Sequence, residues 1–170
     1  MTNNILKFKK IIYESEIKLL ENLAKEIWEE YFIPIIGAGQ VAYMLEKFQS
    51  YSAISKNIKF DDYQYYFLLK ENQPIGYTGI QIKDQSLFLS KLYIKKEYRG
   101  NHFATRTLDF LIHLAQNNGC SVIWLTCNRN NKVTLDIYQK MGFNIIEKKD
   151  SDIGNGFFMN DFVLQKPVDS

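Results

Sequence analysis

Leu89-Ser90-Lys91-Leu92-Tyr93-Ile94-Lys95-Lys96-Glu97-Tyr98-Arg99-Gly100-Asn101-His102-Phe103-Ala104-Thr105-Arg106-Thr107-Leu108 reads as a strand that runs through a short basic turn straight into a helix. Leu87, Leu89, Leu92 and Ile94 place apolar side chains along an extended segment, whereas Phe103, Thr107, Phe110, Leu111 and Leu114 recur at helical spacing. Between them, Arg99 to His102 forms a corner suited to phosphate. The first turn of a helix carries N–H groups with no partner inside the helix and the positive end of the macrodipole, so an anion placed there gains several donors at once. Arg99 adds a fixed positive charge, and Gly100 removes the Cβ that would hinder close approach.

Arg99-Gly100-Asn101-His102-Phe103-Ala104 resembles the phosphate loop of the GNAT superfamily of acyl-CoA-dependent N-acyltransferases, which reads Arg or Gln, two residues, Gly, one residue, Gly or Ala. Arg99 and Ala104 match, and His102 stands where the family usually has its second glycine. Histidine and asparagine are among the non-glycine residues that most readily enter positive φ, so the loop geometry remains accessible. His102 could also direct a ring N–H at a phosphate oxygen. A second stretch, Asn131-Lys132-Val133-Thr134-Leu135-Asp136-Ile137-Tyr138-Gln139-Lys140-Met141-Gly142-Phe143, resembles the family's other signature: Asn, a small residue, Tyr and Gly-Phe in that order. One helix and one apolar strand, Val122-Ile123-Trp124-Leu125, separate the two, as in the family.

Composition narrows the partners. The chain has 170 residues, 46% hydrophobic and 24% charged, enough for one globular domain over 1–170 with its own core. A formal net charge of +2, with no long run of Lys or Arg, argues against nucleic acid, whereas the local group Lys95, Lys96 and Arg99 suits a phosphorylated ligand. The two cysteines, Cys120 and Cys127, have no matching His or Cys pair, so neither a metal site nor a disulfide scaffold is expected. No apolar run approaches the ~20 residues of a membrane span, and Met1 to Asn4 leads into Lys7, Lys9 and Lys10 without a secretion signal. A cytoplasmic protein, monomer or homodimer, is the expectation.

Periodicity lays out the rest. Ile5 to Tyr13 reads as a strand, and a helix follows with Leu20, Leu23, Ala24, Ile27 and Tyr31 on one face until Pro34 ends it. Trp28 and Tyr31 are core or cleft wall. A break at Ile35 to Gly39 precedes a second helix from about Gln40 to Phe48, and the polar segment Ser50 to Asp62 reads as a connection. Tyr65 to Lys70, Ile75 to Ile82 and Ser86 to Ile94 read as consecutive antiparallel strands, with the aromatic group Tyr63, Tyr65, Tyr66 and Phe67 facing into the protein. A helix from Phe103 to Asn118 stops at Gly119. Ser121 to Cys127 looks like a strand covered on both faces, Lys132 to Met141 is the last helix, and Phe143 to Glu147 and Phe157 to Leu164 are strands around a loop from Asp150 to Gly156.

This order fits the fold that the resemblance implies: an α+β, three-layer domain with a mixed, mostly antiparallel twisted sheet of about seven strands flanked by about four helices. The resemblance further implies acetyl-CoA as cosubstrate, with Leu92, Tyr93 and Ile94 pairing with the pantetheine arm as an added strand. It places the diphosphate on Arg99, Gly100, Asn101, His102, Phe103, Ala104 and Thr105, and makes Asn131 a cofactor contact that is also a helix N-cap. Tyr138 is the implied general acid on the departing thiolate, and the acceptor is a primary amine. The general base is not legible: Phe88, Ser90 and Lys91 occupy the strand where relatives carry a glutamate, Lys91 reads as solvated, and Glu30, Tyr31 or a water chain are the replacements. Glu29, Glu30, Asp61 and Asp62 could attract a polyamine. The alternative to an enzyme is a non-catalytic acyl-CoA-binding regulatory or interaction domain.

Overall fold

A computed structural model describes residues 5–168. Its strands are β1 (Leu6–Lys10), β2 (Tyr63–Lys70), β3 (Gln73–Lys83), β4 (Ser86–Ile94), β5 (Val122–Asn128), β6 (Asn144–Gly154) and β7 (Phe157–Pro167). Its helices are α1 (Glu14–Ile36), α2 (Ala38–Phe48), α3 (Tyr51–Phe60), α4 (Phe103–Asn117) and α5 (Lys132–Lys140), with a 3-10 turn at Lys96–Tyr98. The strands form one seven-stranded sheet in the order β1-β2-β3-β4-β5-β7-β6. Strands β4 and β5 pair in parallel, whereas β1 with β2, β2 with β3, β5 with β7 and β6 with β7 pair antiparallel. The expected α+β fold is therefore present, with five helices where about four were read.

By contact the chain forms two compact units, one running to Gln81 and including Lys91–Thr107, the other comprising Ile82–Ser90 and the chain from Leu108 onward. In the first unit, α1 buries Leu20, Leu23, Ala24 and Ile27 of the expected stripe together with Ile17, Trp28 and Phe32, while Tyr31 is half-buried. The helix continues through Pro34 to Ile36 and ends at Gly37, where φ is 88°. Helices α1, α2 and α3 pack on one another, and α3 packs on β2. The aromatic residues Tyr65, Tyr66 and Phe67 are buried, as expected of a sheet face.

The segment Ser50 to Asp62 is a helix and not the connection its polarity suggests. Ser50 accepts from the Ala53 N–H at 3.2 Å as N-cap, and the Glu21 carboxylate of α1 accepts from the Tyr51 N–H at 2.6 Å. Ile54 is the one buried residue of α3. So weak an apolar stripe gives little sequence signal, and much of the capping comes from another helix.

In the second unit, Phe88 and Trp124 stand opposite each other in the parallel ladder and stack at 4.2 Å between ring centroids. Residues of β5 alternate between buried and half-buried, so it is not the strand fully covered on both faces that its apolar run implies. The expected loop from Asp150 to Gly156 is instead the closed end of a long β6–β7 hairpin, turned by Asn155 and Gly156 at φ 54° and 78°. Positive φ at successive residues also turns β2 into β3 (Glu71, Asn72) and β3 into β4 (Asp84, Gln85). No helix among the described residues is long and apolar enough to cross a membrane.

One close approach fixes the end of β4. A Cβ on Gly76 would lie 2.4 Å from the Tyr93 carbonyl oxygen, which is backbone and cannot swing away. Gly76→Ala is expected to destabilise the fold by about 1–3 kcal/mol through overpacking. Urea denaturation checks this, and an unchanged midpoint would show that β3 and β4 are less tightly apposed at this point.

Candidate functional site

The turn from Lys95 to His102 is pinned at both ends by the same apolar cluster. Ile94, the last residue of β4, and Phe103, the first of α4, are buried with Leu68 and Ile75, and Leu6, Phe8, Leu92, Tyr98 and Ala104 pack against them. Inside these anchors the backbone takes two left-handed steps, Gly100 at φ 79° and His102 at φ 61°. His102, standing in a glycine's place, therefore takes the positive φ that histidine enters readily. The His102 carbonyl accepts the first α-helical bond, from the Arg106 N–H at 3.0 Å. The N–H groups of Phe103, Ala104 and Thr105 precede that bond and form the helix's donor end. No Cβ would be obstructed at Gly100, where nothing lies within 4 Å. His102 and Asn101 are exposed, and the Asn101 amide donates to the Tyr98 carbonyl at 3.3 Å.

Arg99, the turn's fixed cation, is engaged by the protein. Its Nη1 and Nη2 donate to the two carboxylate oxygens of Glu30 at 2.8 and 2.9 Å, and its Nε donates to the Ile94 carbonyl at 2.9 Å. The guanidinium also lies 4.7 Å from the centre of the Tyr31 ring. Glu30 and Tyr31, considered above as replacements for the missing base, are thus occupied in holding Arg99. One turn earlier on α1, Glu26 pairs with Lys95 at 3.4 Å.

Leu92, Tyr93 and Ile94 lie past the end of the β4–β5 ladder. Its residue pairs run from Ser86↔Val122 to Leu89↔Leu125, while β4 itself continues to Ile94 and β5 to Asn128. The Tyr93 ring packs edge-on against Trp28 and Phe32 at 5.3 and 5.8 Å and tilts on Tyr77 at 5.5 Å. Trp28 donates its indole N–H to the Tyr77 hydroxyl, which donates to Gln49 at 3.1 Å, so Trp28 belongs to a buried and bonded aromatic group.

In the second unit the other signature is visible as two helix caps. Asn131 is the N-cap of α5, its side-chain oxygen accepting from the Thr134 N–H at 3.4 Å. At the far end the Phe143 N–H donates to the Tyr138 carbonyl at 3.0 Å and the Gly142 N–H to the Gln139 carbonyl at 3.1 Å, with Gly142 at φ 96°. This is the Schellman arrangement, and the apolar contact that usually accompanies it is the edge-on packing of Tyr138 against Phe143 at 5.6 Å. The spacing Tyr, three residues, Gly-Phe thus fixes the Tyr138 ring. Tyr138 and Asn131 are each 7% exposed.

Two buried ionisable groups escaped the sequence reading. Lys91 is not a solvated strand residue: it is 7% exposed, its Nζ donates to the Tyr65 hydroxyl at 2.8 Å, and it lies 5.0 and 5.3 Å from the Tyr65 and Tyr63 ring centres. The same hydroxyl accepts from the Asn57 amide at 3.0 Å. Desolvation lowers the Lys91 ammonium to about 8. Asp161 of β7 stands opposite Asn128, and burial raises its carboxyl to about 6 against the opposing pull of Arg129 and Lys149. The neighbouring Cys127 thiol is pushed up to about 12, by burial first and by Asp161 second. A lysine between Ser90 and Leu92 on a strand gives no signal that α3 and β2 will close over it. Among the described residues no group of three or more His, Cys, Asp or Glu is placed to hold a metal.

Comparison with known proteins bears on the whole chain. Residues 20–143 match the model of the acetyltransferase (GNAT) family. A bovine protein, thialysine N-epsilon-acetyltransferase, is 30% identical over 60 residues, which span 35% of this chain and 35% of that one. The fold is similar to the crystal structure of PaiA N-acetyltransferase from Thermoplasma acidophilum in complex with coenzyme A, with TM-score 0.79, 19% identity and coverage of 96% and 99% of the two chains. It is also similar to the ribosomal-protein-S18-alanine N-acetyltransferase of Escherichia coli, with TM-score 0.73, 12% identity and coverage of 98% and 96%.

The Lys91 environment has a measurable consequence. Its folded-state value of about 8 lies below the ordinary 10.5, so between these pH values the unfolded chain holds a proton that the folded chain has released. Stability from this site therefore rises with pH across that window and is constant below it. Wild type is expected to gain stability relative to Lys91→Met between pH 8 and 10.5, measured by urea unfolding. A difference that stays flat over the window would place the ammonium in water.

Proposed function

Because the chain belongs to the acetyltransferase (GNAT) family, we propose that it transfers the acetyl group of acetyl-CoA to the primary amine of a small alkyl-amine acceptor by direct attack in a ternary complex. The observation that carries this reading is the turn itself: left-handed Gly100 and His102 ahead of the donor end of α4, anchored by Ile94 and Phe103. The residues fit the cosubstrate. The N–H groups from Gly100 to Thr105 would receive the diphosphate, and β4 from Leu92 to Ile94, past its ladder with β5, would accept the pantetheine amides by strand addition.

The chemistry then asks three things of the protein. The acceptor amine, with a pKa near ~10.4, must lose a proton before it attacks the thioester carbonyl. The oxyanion that forms needs a donor, for which a backbone N–H near Tyr93 or Ile94 is suited. Collapse breaks the carbon–sulfur bond, the Tyr138 hydroxyl gives its proton to the departing thiolate, whose thiol pKa is near ~8.5, and the proton that the nitrogen sheds on becoming an amide restores the phenol. Asn131 and the Schellman turn cap α5 at its two ends, and a fixed helix supports that role for Tyr138. The bovine relative's name describes acetylation of an ε-amine, and the acids Glu29, Asp61 and Asp62 lie on the unit that includes α1 and α3. Both support an alkyl amine, a polyamine included, as the acceptor class.

A panel of spermidine, spermine, lysine analogues and peptide N-termini, assayed for acetyl transfer, tests the reading. Transfer to an alkyl amine is the expected result, whereas saturable CoA binding without transfer to any amine would leave a binding module. Tyr138→Phe is expected to lower kcat by about a hundredfold, within the usual range for a general acid, with acetyl-CoA affinity held. Unchanged turnover would remove Tyr138 from the proton path.

A further inference from the structure

Arg99 is held from three directions at once. Its paired Nη groups grip both oxygens of Glu30, its Nε closes back on the Ile94 carbonyl, and its face rests on Tyr31, the residue after Glu30. A guanidinium has five N–H donors in a rigid fork, and three are directed at these partners. The other two point away from these partners, and redirecting the engaged end of the fork to a diphosphate would break all three bonds and the ring contact together. The Ile94 bond is informative in its own right. It ties the end of β4 to the middle of the turn, just where the chain leaves the apolar cluster that also holds Phe103.

Resting on the function proposed above, we infer that Glu30 is a positioning residue for the cosubstrate. Through Arg99 it fixes the turn, so the diphosphate is received by the backbone N–H groups and not by the Arg99 side chain. Helix α1 then belongs to the cosubstrate machinery although it touches no part of the cosubstrate. Arg99 acts as a strut whose charge is neutralised within the protein, and the opposing charge for the diphosphate falls to the helix end and to side chains such as those of Lys96 and Arg106.

Coenzyme A binding followed by calorimetry on wild type, Glu30→Gln, Arg99→Met and the double variant separates a strut from a direct contact. A strut predicts that either single change weakens binding roughly tenfold, as expected for the loss of a charge-assisted bond, and that the double variant is no worse than either single. It also predicts that log Kd against log salt keeps the wild-type slope in all of them, because no phosphate contact has been lost. Stoichiometry stays at one per chain, whereas a general folding defect would lower the stoichiometry and leave Kd alone. If a variant does show lowered stoichiometry, Arg99→Lys, which keeps the charge and loses the fork, replaces it and must show the same weakening. Loss of affinity in Arg99→Met but not in Glu30→Gln, additive losses, or a shallower salt slope in Arg99→Met would overturn the inference and make Arg99 a phosphate ligand. Wild type that does not bind coenzyme A would overturn the proposed function first, and this inference with it.

Discussion

The burial of Ile94 and Phe103 in one apolar cluster is the constraint on which the rest of the site depends. A turn of polar and charged residues spans the interval between them, and such a segment in isolation would sample many conformations at a cost of roughly 1–2 kcal/mol per residue to order. Anchoring both ends on Leu68 and Ile75 removes most of that freedom before any ligand arrives. Within fixed ends, the two left-handed residues aim the start of α4, and the Arg99 fork closes the loop on β4 and α1. Apolar packing thus supplies the rigidity, and the polar turn supplies the chemistry.

The second signature uses a different device for the same purpose. Gly142 and Phe143 close α5 by satisfying the carbonyls of Gln139 and Tyr138, and the Phe143 ring, 2% exposed, braces the tyrosine. The cap that ends the helix is therefore also what orients its Tyr138 side chain.

How much of this was legible in the sequence follows from which interactions are local. The strand–turn–helix at Leu89 to Leu108, the stripe of α1 and the caps of α5 are set by residues close in sequence, and they read correctly. Helix α3 did not, because its N-terminus is capped in part by Glu21, 30 residues away, and it buries only Ile54. Lys91 looked solvated because a lysine usually is; its burial depends on Tyr65, Tyr63 and Asn57 arriving from β2 and α3. Likewise nothing near Arg99 in sequence announces its partner, the Glu30 carboxylate 69 residues earlier. Long-range pairing of polar groups is what a single sequence conceals.

The central claim is that the backbone of this turn is the anion receptor, and amide resonances report on it directly. In isotope-labelled protein titrated with coenzyme A, the N–H signals of Gly100 to Thr105 are expected to move the most and to gain protection from solvent exchange. Saturable shifts confined to residues outside Leu92 to Thr105, with these amides unmoved, would contradict the account.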